Sequence, residues 1–241
     1  NKHGPPPRPL LHMLSAAQHE AVTSEAARPL QILAGPGSGK TRVLTSRVAH
    51  LVRDSAAPIA PERCVVVTFT NRAANEMRAR LETMIGADRT RRLVLGTFHA
   101  VCVRFLRRWG TRLGLDPRFT IADTDDARRL LRDVDRDAPV DATLAAISRA
   151  KAHGWTPDEL RASAQHAPGS PAHTEHLALC RTYAAYQQQL RTSHALDFDD
   201  LLLLGVRLFR EHPELTTHID HVLVDEFQDT NAVQYLSLIH I

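Results

Sequence analysis

Cysteine is scarce in this chain and badly spaced for chemistry. Cys64, Cys102 and Cys180 are the three in 241 residues. No Cys-x-x-Cys pair occurs, so neither a zinc ribbon nor a disulfide framework is indicated, and a reducing, intracellular setting fits best. Long apolar runs are missing too; none approaches the roughly 20 residues of a membrane span. Residues 1–9 are Pro-rich, lack an initiator Met and lack the apolar core of a signal peptide. Residues 1–13 therefore read as a disordered lead-in. Charge of one sign barely dominates: the net charge is +3 with His neutral, a mild lean towards polyanions that decides nothing alone. No internal repeat is visible. What remains, 43% hydrophobic and 24% charged residues, is the make-up of a globular protein with a buried core.

The order of patterns along the chain is informative. Residues 14–18 open a short helix. An apolar run at 30–33 ends at a glycine-rich loop and reads as a buried strand. Val43, Leu44, Val48, Leu51 and Val52 give a helical period over 41–54, which Pro58 and Pro61 end. Three consecutive valines mark a strand at 64–68. Met77, Leu81, Met84 and Ile85 share one side of a helix over 71–85. A short strand at 93–95 leads into a helix over 99–109. Strands alternating with helices imply βαβ units and a parallel sheet covered on both faces. From 110 to 195 the pattern is helical, with 119–122 as the one strand candidate and a Pro/Gly/Ser loop at 167–171. A helix over 198–210 and a buried strand at 221–224 follow. The expectation is an α/β domain formed by 14–109 plus 196–241, interrupted by a helical insertion at 110–195.

Two motifs carry phosphate chemistry. Ala34, Gly35, Pro36, Gly37, Ser38, Gly39, Lys40 and Thr41 fit the phosphate-loop pattern, with Ala34 where the stricter form has Gly. The glycines let backbone N–H groups turn inward as an anion nest, and the following helix aims its positive end at the phosphates. Lys40 would reach the outer phosphates and Thr41 would offer a hydroxyl to Mg²⁺. At the end of the strand at 221–224 stand Asp225 and Glu226. The first suits Mg²⁺ held through water; the second suits orienting and deprotonating an attacking water. The bland reading, a solvated acidic turn, weakens once the pair is set beside the loop. An acid pair favours water as nucleophile, hence hydrolysis of a nucleoside triphosphate rather than transfer to a small acceptor. A P-loop kinase or GTPase would need an acceptor pocket or Asn-Lys-x-Asp, and neither is visible.

Five motifs in order, residues 34–41, 68–71, 96–99, 197–200 and 225–231, together resemble the N-terminal part of superfamily 1A DNA helicases of the UvrD/PcrA/Rep type. The resemblance covers nearly all of the chain beyond Leu14. It implies a RecA-like P-loop NTPase sheet, incomplete here, with 110–195 as the helical subdomain that sits over DNA. It implies ATP and Mg²⁺ as cofactors, and single-stranded DNA with single/double-strand junctions as partners. By the same resemblance Gln18 reads adenine, although Ser15-x-x-Gln18 also fits a helix capping box. Arg42 helps at the nucleotide, and Gln228 couples the γ-phosphate to the DNA site. Phe69 stacks on a base, its alternative being a core Phe beside a strand. Thr68, Thr70, Asn71, Thr97 and His99 contact the DNA backbone. The resemblance implies 3′-to-5′ polarity and a repair or recombination role. The wording at 93–99, 119–123 and 222–235 looks nearest to fungal anti-recombinase members, implying a nuclear location; a bacterial member implies cytoplasm or nucleoid.

Other features have plainer readings. His173-x-x-His176 with Cys180 lacks an evident fourth metal ligand. Asp197 reads as a helix cap, with Asp199 and Asp200 on the first turn, where the dipole favours acids. Arg104, Arg107, Arg108 and Arg112 form a stripe that suits either phosphate contact or a solvated face. Trp109 and Trp155 read as packing residues. The family's later motifs, including the arginines that reach the γ-phosphate, have no counterpart, and residues 236–241 resemble a translated sequencing adapter. The expectation is a C-terminally truncated helicase with little or no turnover of its own; the alternative is a nucleotide- or DNA-binding fragment without turnover.

Overall fold

The computed structural model describes residues 14–25, 28–35, 37–164, 167 and 169–240. The lead-in expected at 1–13 lies outside them, as do Pro36 and Pro168. In chain order the elements are α1 (Ala16–Thr23), α2 (Lys40–Ala49), β1 (Cys64–Thr68), α3 (Asn71–Ile85), α4 (Ala87–Arg92), β2 (Val94–Thr97), α5 (Phe98–Trp109), β3 (Thr120–Ile121), α6 (Thr124–Val134), α7 (Val140–Ala152), α8 (Pro157–Ala162), α9 (Pro171–Thr192), β4 (Ala195–Leu196), α10 (Phe198–Glu211), β5 (His221–Val224) and α11 (Ala232–His240). They divide into two compact units. One holds the described residues up to Val101 together with Leu215–Asp229; the other holds Cys102–Glu214 and Thr230–His240.

The first unit is built on a parallel sheet in the order β2-β1-β5. Val65 of β1 sits level with Val94 of β2 on one side and Val222 of β5 on the other. β1 is buried along its whole length, as a parallel strand flanked on both edges and covered on both faces must be, and β-branched valines suit that pleated, crowded position. Thr70 caps α3 by accepting from the Ala73 N–H, and Gly86 at φ +86° ends it. Ala74, Met77, Leu81 and Ile85 fall on one side of α3 and pack with Val48, Val52, Val66 and Leu95. α2 runs on into a single π turn at His50–Asp54. Arg63 pairs with Asp220 where β1 and β5 begin.

The segment at 30–33 departs from expectation: it forms no strand. Leu30, Ile32 and Leu33 are 47%, 38% and 85% exposed. An apolar run becomes a buried strand only when a neighbour pairs with it and layers cover both its faces. Among the described residues, β5 is paired on one edge, by β1, and 28–35 does not join it.

The second unit has its own core, in which Leu131, Ile147, Leu160, Tyr183, Tyr186 and Leu190 gather from α6, α7, α8 and α9. The strand candidate at 119–122 becomes β3, two residues long, pairing in parallel with β4. Capping boxes start α6 at Asp123, α8 at Thr156 and α10 at Asp197. Asp200 lies on the first turn of α10, as expected, but its carboxylate does not face solvent. It is 2% exposed and paired with Lys151, a partner distant in sequence that helix-start logic does not reveal. Trp155 is 37% exposed and stacks on His153, rather than filling the core.

Candidate nucleotide-binding site

The phosphate loop meets α2 at Gly39, whose φ of +88° is open to glycine at little cost. A Cβ there would also stand 3.1 Å from Gln18 Nε2. Gly39 caps α2 without any side-chain hydrogen bond, so the first-turn N–H groups keep their donors for an anion. Gly37 is left-handed as well, at φ +73°. Ser38 folds onto the loop, its Oγ donating to the Gly35 carbonyl at 2.7 Å. The Lys40 ammonium donates to the carbonyls of Ala34 at 3.0 Å and Gly35 at 3.5 Å. It therefore stands inside the loop's own curve.

Gln18 comes to this loop from α1. Its Oε1 accepts from the Ser15 N–H at 3.0 Å and the Gln18 N–H bonds Ser15 Oγ, completing the capping box. Its Nε2 donates to the Ser38 carbonyl at 2.8 Å. One side chain thus starts a helix and touches the loop.

The acid pair lies at the carboxyl end of β5. The Asp225 N–H extends the ladder by donating to the Val67 carbonyl at 2.9 Å. Glu226 then takes φ +50°, unusual outside glycine, and turns the chain off the strand. Gln228 Nε2 donates to Glu226 Oε2 at 2.6 Å. Burial raises the Asp225 carboxyl above its ordinary range, the neighbouring Glu226 charge adds to that, and Lys40 opposes it. A cleft of about 620 Å³ is lined by Gly35, the loop residues from Gly37 to Arg42, Glu226 and Gln228, and by Arg80. Arg80 belongs to no motif. Its pairing with Glu76 one turn earlier reads in sequence as an ordinary surface i,i+4 pair, so nothing local marks it.

The polar residues of the strand tips occupy the same edge of the sheet. Thr68 and Thr97 are level with each other at the ends of β1 and β2. Thr68 is fully buried and donates to the Thr70 carbonyl at 3.1 Å; Thr97 Oγ1 accepts from the Ala100 N–H. Thr70 and Thr97 are thus both spent on helix starts. Asn71 is exposed and His99 half-buried. Phe69 is half-buried and meets Phe98 edge-on at 5.4 Å. The carboxyl edge of a parallel sheet is where α/β folds bind ligands.

The family described as UvrD/REP helicase N-terminal domain matches residues 14–241. The chain belongs to this family. Its sheet is accordingly the RecA-like sheet of a UvrD N-terminal domain. It is similar to ATP-dependent DNA helicase PcrA of Staphylococcus aureus, 37% identical over 237 residues, covering 94% of this chain and 31% of that protein. Against PcrA of Leuconostoc citreum the identity is 40%, covering 94% of this chain and 30% of the relative. The chain therefore spans about a third of the length of these UvrD-family relatives. Among its described residues no helix is long and apolar enough to cross a membrane.

Proposed function

We propose that this chain is the ATP-binding portion of a 3′-to-5′ DNA helicase, a motor that steps along single-stranded DNA in repair or recombination. The observation that carries this reading is the single cleft shared by an uncapped helix N-terminus, Lys40, and the Glu226–Gln228 pair. Lys40 holds the outer phosphates and the N–H groups around Gly37 and Gly39 cradle them. Arg42 and Arg80 add positive charge at the rim. Gln18 reads the base. Glu226 accepts the proton of the attacking water, oriented by its bond to Gln228, which links the γ-phosphate to the strand tips.

The Thr41 hydroxyl and the Asp225 carboxylate suit Mg²⁺. They are hard oxygen donors, and this ion uses one or two carboxylates plus substrate phosphates. The raised Asp225 carboxyl, with Glu226 beside it, fits a place meant to face a cation. Bound there, Mg²⁺ supplies charge neutralisation for the phosphates. Phe69 offers a ring for base stacking; Thr68, Thr70, Asn71, Thr97 and His99 set the backbone path along the sheet edge, towards single strands and junctions. The insertion at 110–195 is the part assigned to cover DNA. The bacterial relatives favour a cytoplasmic or nucleoid location; the wording at 93–99 favours a fungal, nuclear one.

A second reading is binding without turnover by these 241 residues, which span 31% of the length of the Staphylococcus aureus relative. One assay series separates the two. On the 241 residues, ATP should bind and turnover should stay near background with or without single-stranded DNA. In a protein of the relatives' full length, ATPase should be DNA-stimulated and should fall by about 10² or more on Glu226→Gln. Normal turnover in that variant would sink the assignment of the base; DNA-stimulated turnover by the 241 residues would sink the binding-only reading.

A further inference from the structure

Arg47 lies on α2, beyond every motif and outside the residues that line the cleft. It is 7% exposed. Among the described residues it has no carboxylate partner; instead Nη1 donates to the carbonyls of Val22 at 2.7 Å and Ser24 at 2.5 Å. Those carbonyls close α1, whose C-cap is Ser24. The last carbonyls of a helix lack intrahelical donors and carry its negative end. A guanidinium out of water needs such acceptors, and the bonds it makes to them are strong ones.

The other end of α1 is tied to the same piece of chain. Gln18, one turn before Val22, bonds the Ser38 carbonyl at 2.8 Å, over the glycine where a Cβ would crowd it. The phosphate loop and α2 are continuous. α1 is therefore pinned twice to one body, by Gln18 at the loop and by Arg47 along the helix. Without the second pin α1 could tilt about the first, and the Gln18 carboxamide would lose its fixed place at the mouth of the loop.

We propose that Arg47 is a positioning residue for base recognition: by clamping the end of α1 onto α2 it fixes the Gln18 carboxamide, and so sets preference for adenine without touching the nucleotide. This rests on reading the loop as an ATP site and Gln18 as its base reader.

The test is calorimetric binding of ATP and of inorganic tripolyphosphate to the full 241-residue chain. Arg47→Ala should weaken ATP about tenfold, the scale of one or two lost hydrogen bonds, and leave tripolyphosphate unchanged. Arg47→Lys, which keeps a cation able to reach one carbonyl, should lose less and remains measurable if the alanine variant fails to fold. Gln18→Ala should show the same split, and adding Arg47→Ala to it should cost nothing more, because residues acting through one contact are not additive. Equal weakening of both ligands by the lysine variant, additive losses, or no loss at all would overturn the proposal. Failure of the reading beneath it looks different: wild-type chain binding neither ligand, or Lys40→Ala leaving both affinities intact.

Discussion

The ammonium of Lys151 sits out of water between two carboxylates, 2.6 Å from Asp197 and 2.7 Å from Asp200. Tyr186 donates to Asp197 and Gln187 to Asp200, and the backbone N–H of each aspartate donates to the other's carboxylate, so two buried acids share one full positive charge and four neutral donors. Burial raises the Asp200 carboxyl to about 6, with Lys151 pulling the other way and Asp197 adding to the rise. The folded chain thus holds the Asp200 proton more tightly than the unfolded chain does. That contribution to stability is complete below about pH 4 and is lost as pH rises through about 6. Asp200→Asn removes the titration. Between pH 7 and pH 4 wild type should therefore gain on the order of 2 kcal/mol relative to that variant, measured as urea unfolding of both proteins across the range. Parallel profiles would show that Asp200 does not titrate in this window. Only half of this cluster is legible in sequence: the Asp197–Asp200 spacing announces a helix start, whereas Lys151 is brought in by the packing of α7 against α10.

Elements follow the sequence closely where one face and two ends are marked. α3 keeps its expected limits because Thr70 caps it, Gly86 ends it and its apolar side is spaced at three and four residues. Gly205, in the middle of α10, breaks the rule that helix interiors avoid glycine. The reason is a close crossing: a Cβ there would lie 2.7 Å from Cys102 Sγ and 3.1 Å from Cys102 Cβ, on α5. Gly205→Ala should lower stability by about 1–3 kcal/mol through overpacking, and the same change in a Cys102→Ala background should cost less, since the nearest atom is gone. Thermal unfolding of the three variants measures this coupling, and equal costs in both backgrounds would refute the crossing as the cause. The short pair β3–β4 shows the opposite case. Two residues of strand carry little pattern of their own, and parallel pairing of distant segments cannot be read from either segment alone.

At the scale of the whole molecule, the apolar run at 30–33 lies exposed before the phosphate loop while β5 keeps one edge unpaired by any described strand. An exposed apolar run and an unpaired parallel edge complement each other. In the 241-residue chain the amides of Leu30, Ile32 and Leu33 should exchange with solvent rapidly, and in a protein of the relatives' full length they should be protected; hydrogen exchange with mass spectrometry compares the two. Equal exchange would mean that more chain does not complete this strand. The sequence by itself determined the parts that depend on near neighbours. The glycines and Lys40 of the loop, the valines of β1, the acids ending β5 and the capping boxes all act through backbone preference and short spacing, and five motifs in order identified the family. The tertiary structure alone decided which distant groups meet. Arg80 reaches the cleft, Arg47 clamps α1, and Lys151 lies between two aspartates, because burial and charge pairing depend on where helices pack. The strand expected at 30–33 failed for the same reason: apolar residues determine that a segment seeks cover, and only the assembled sheet provides it.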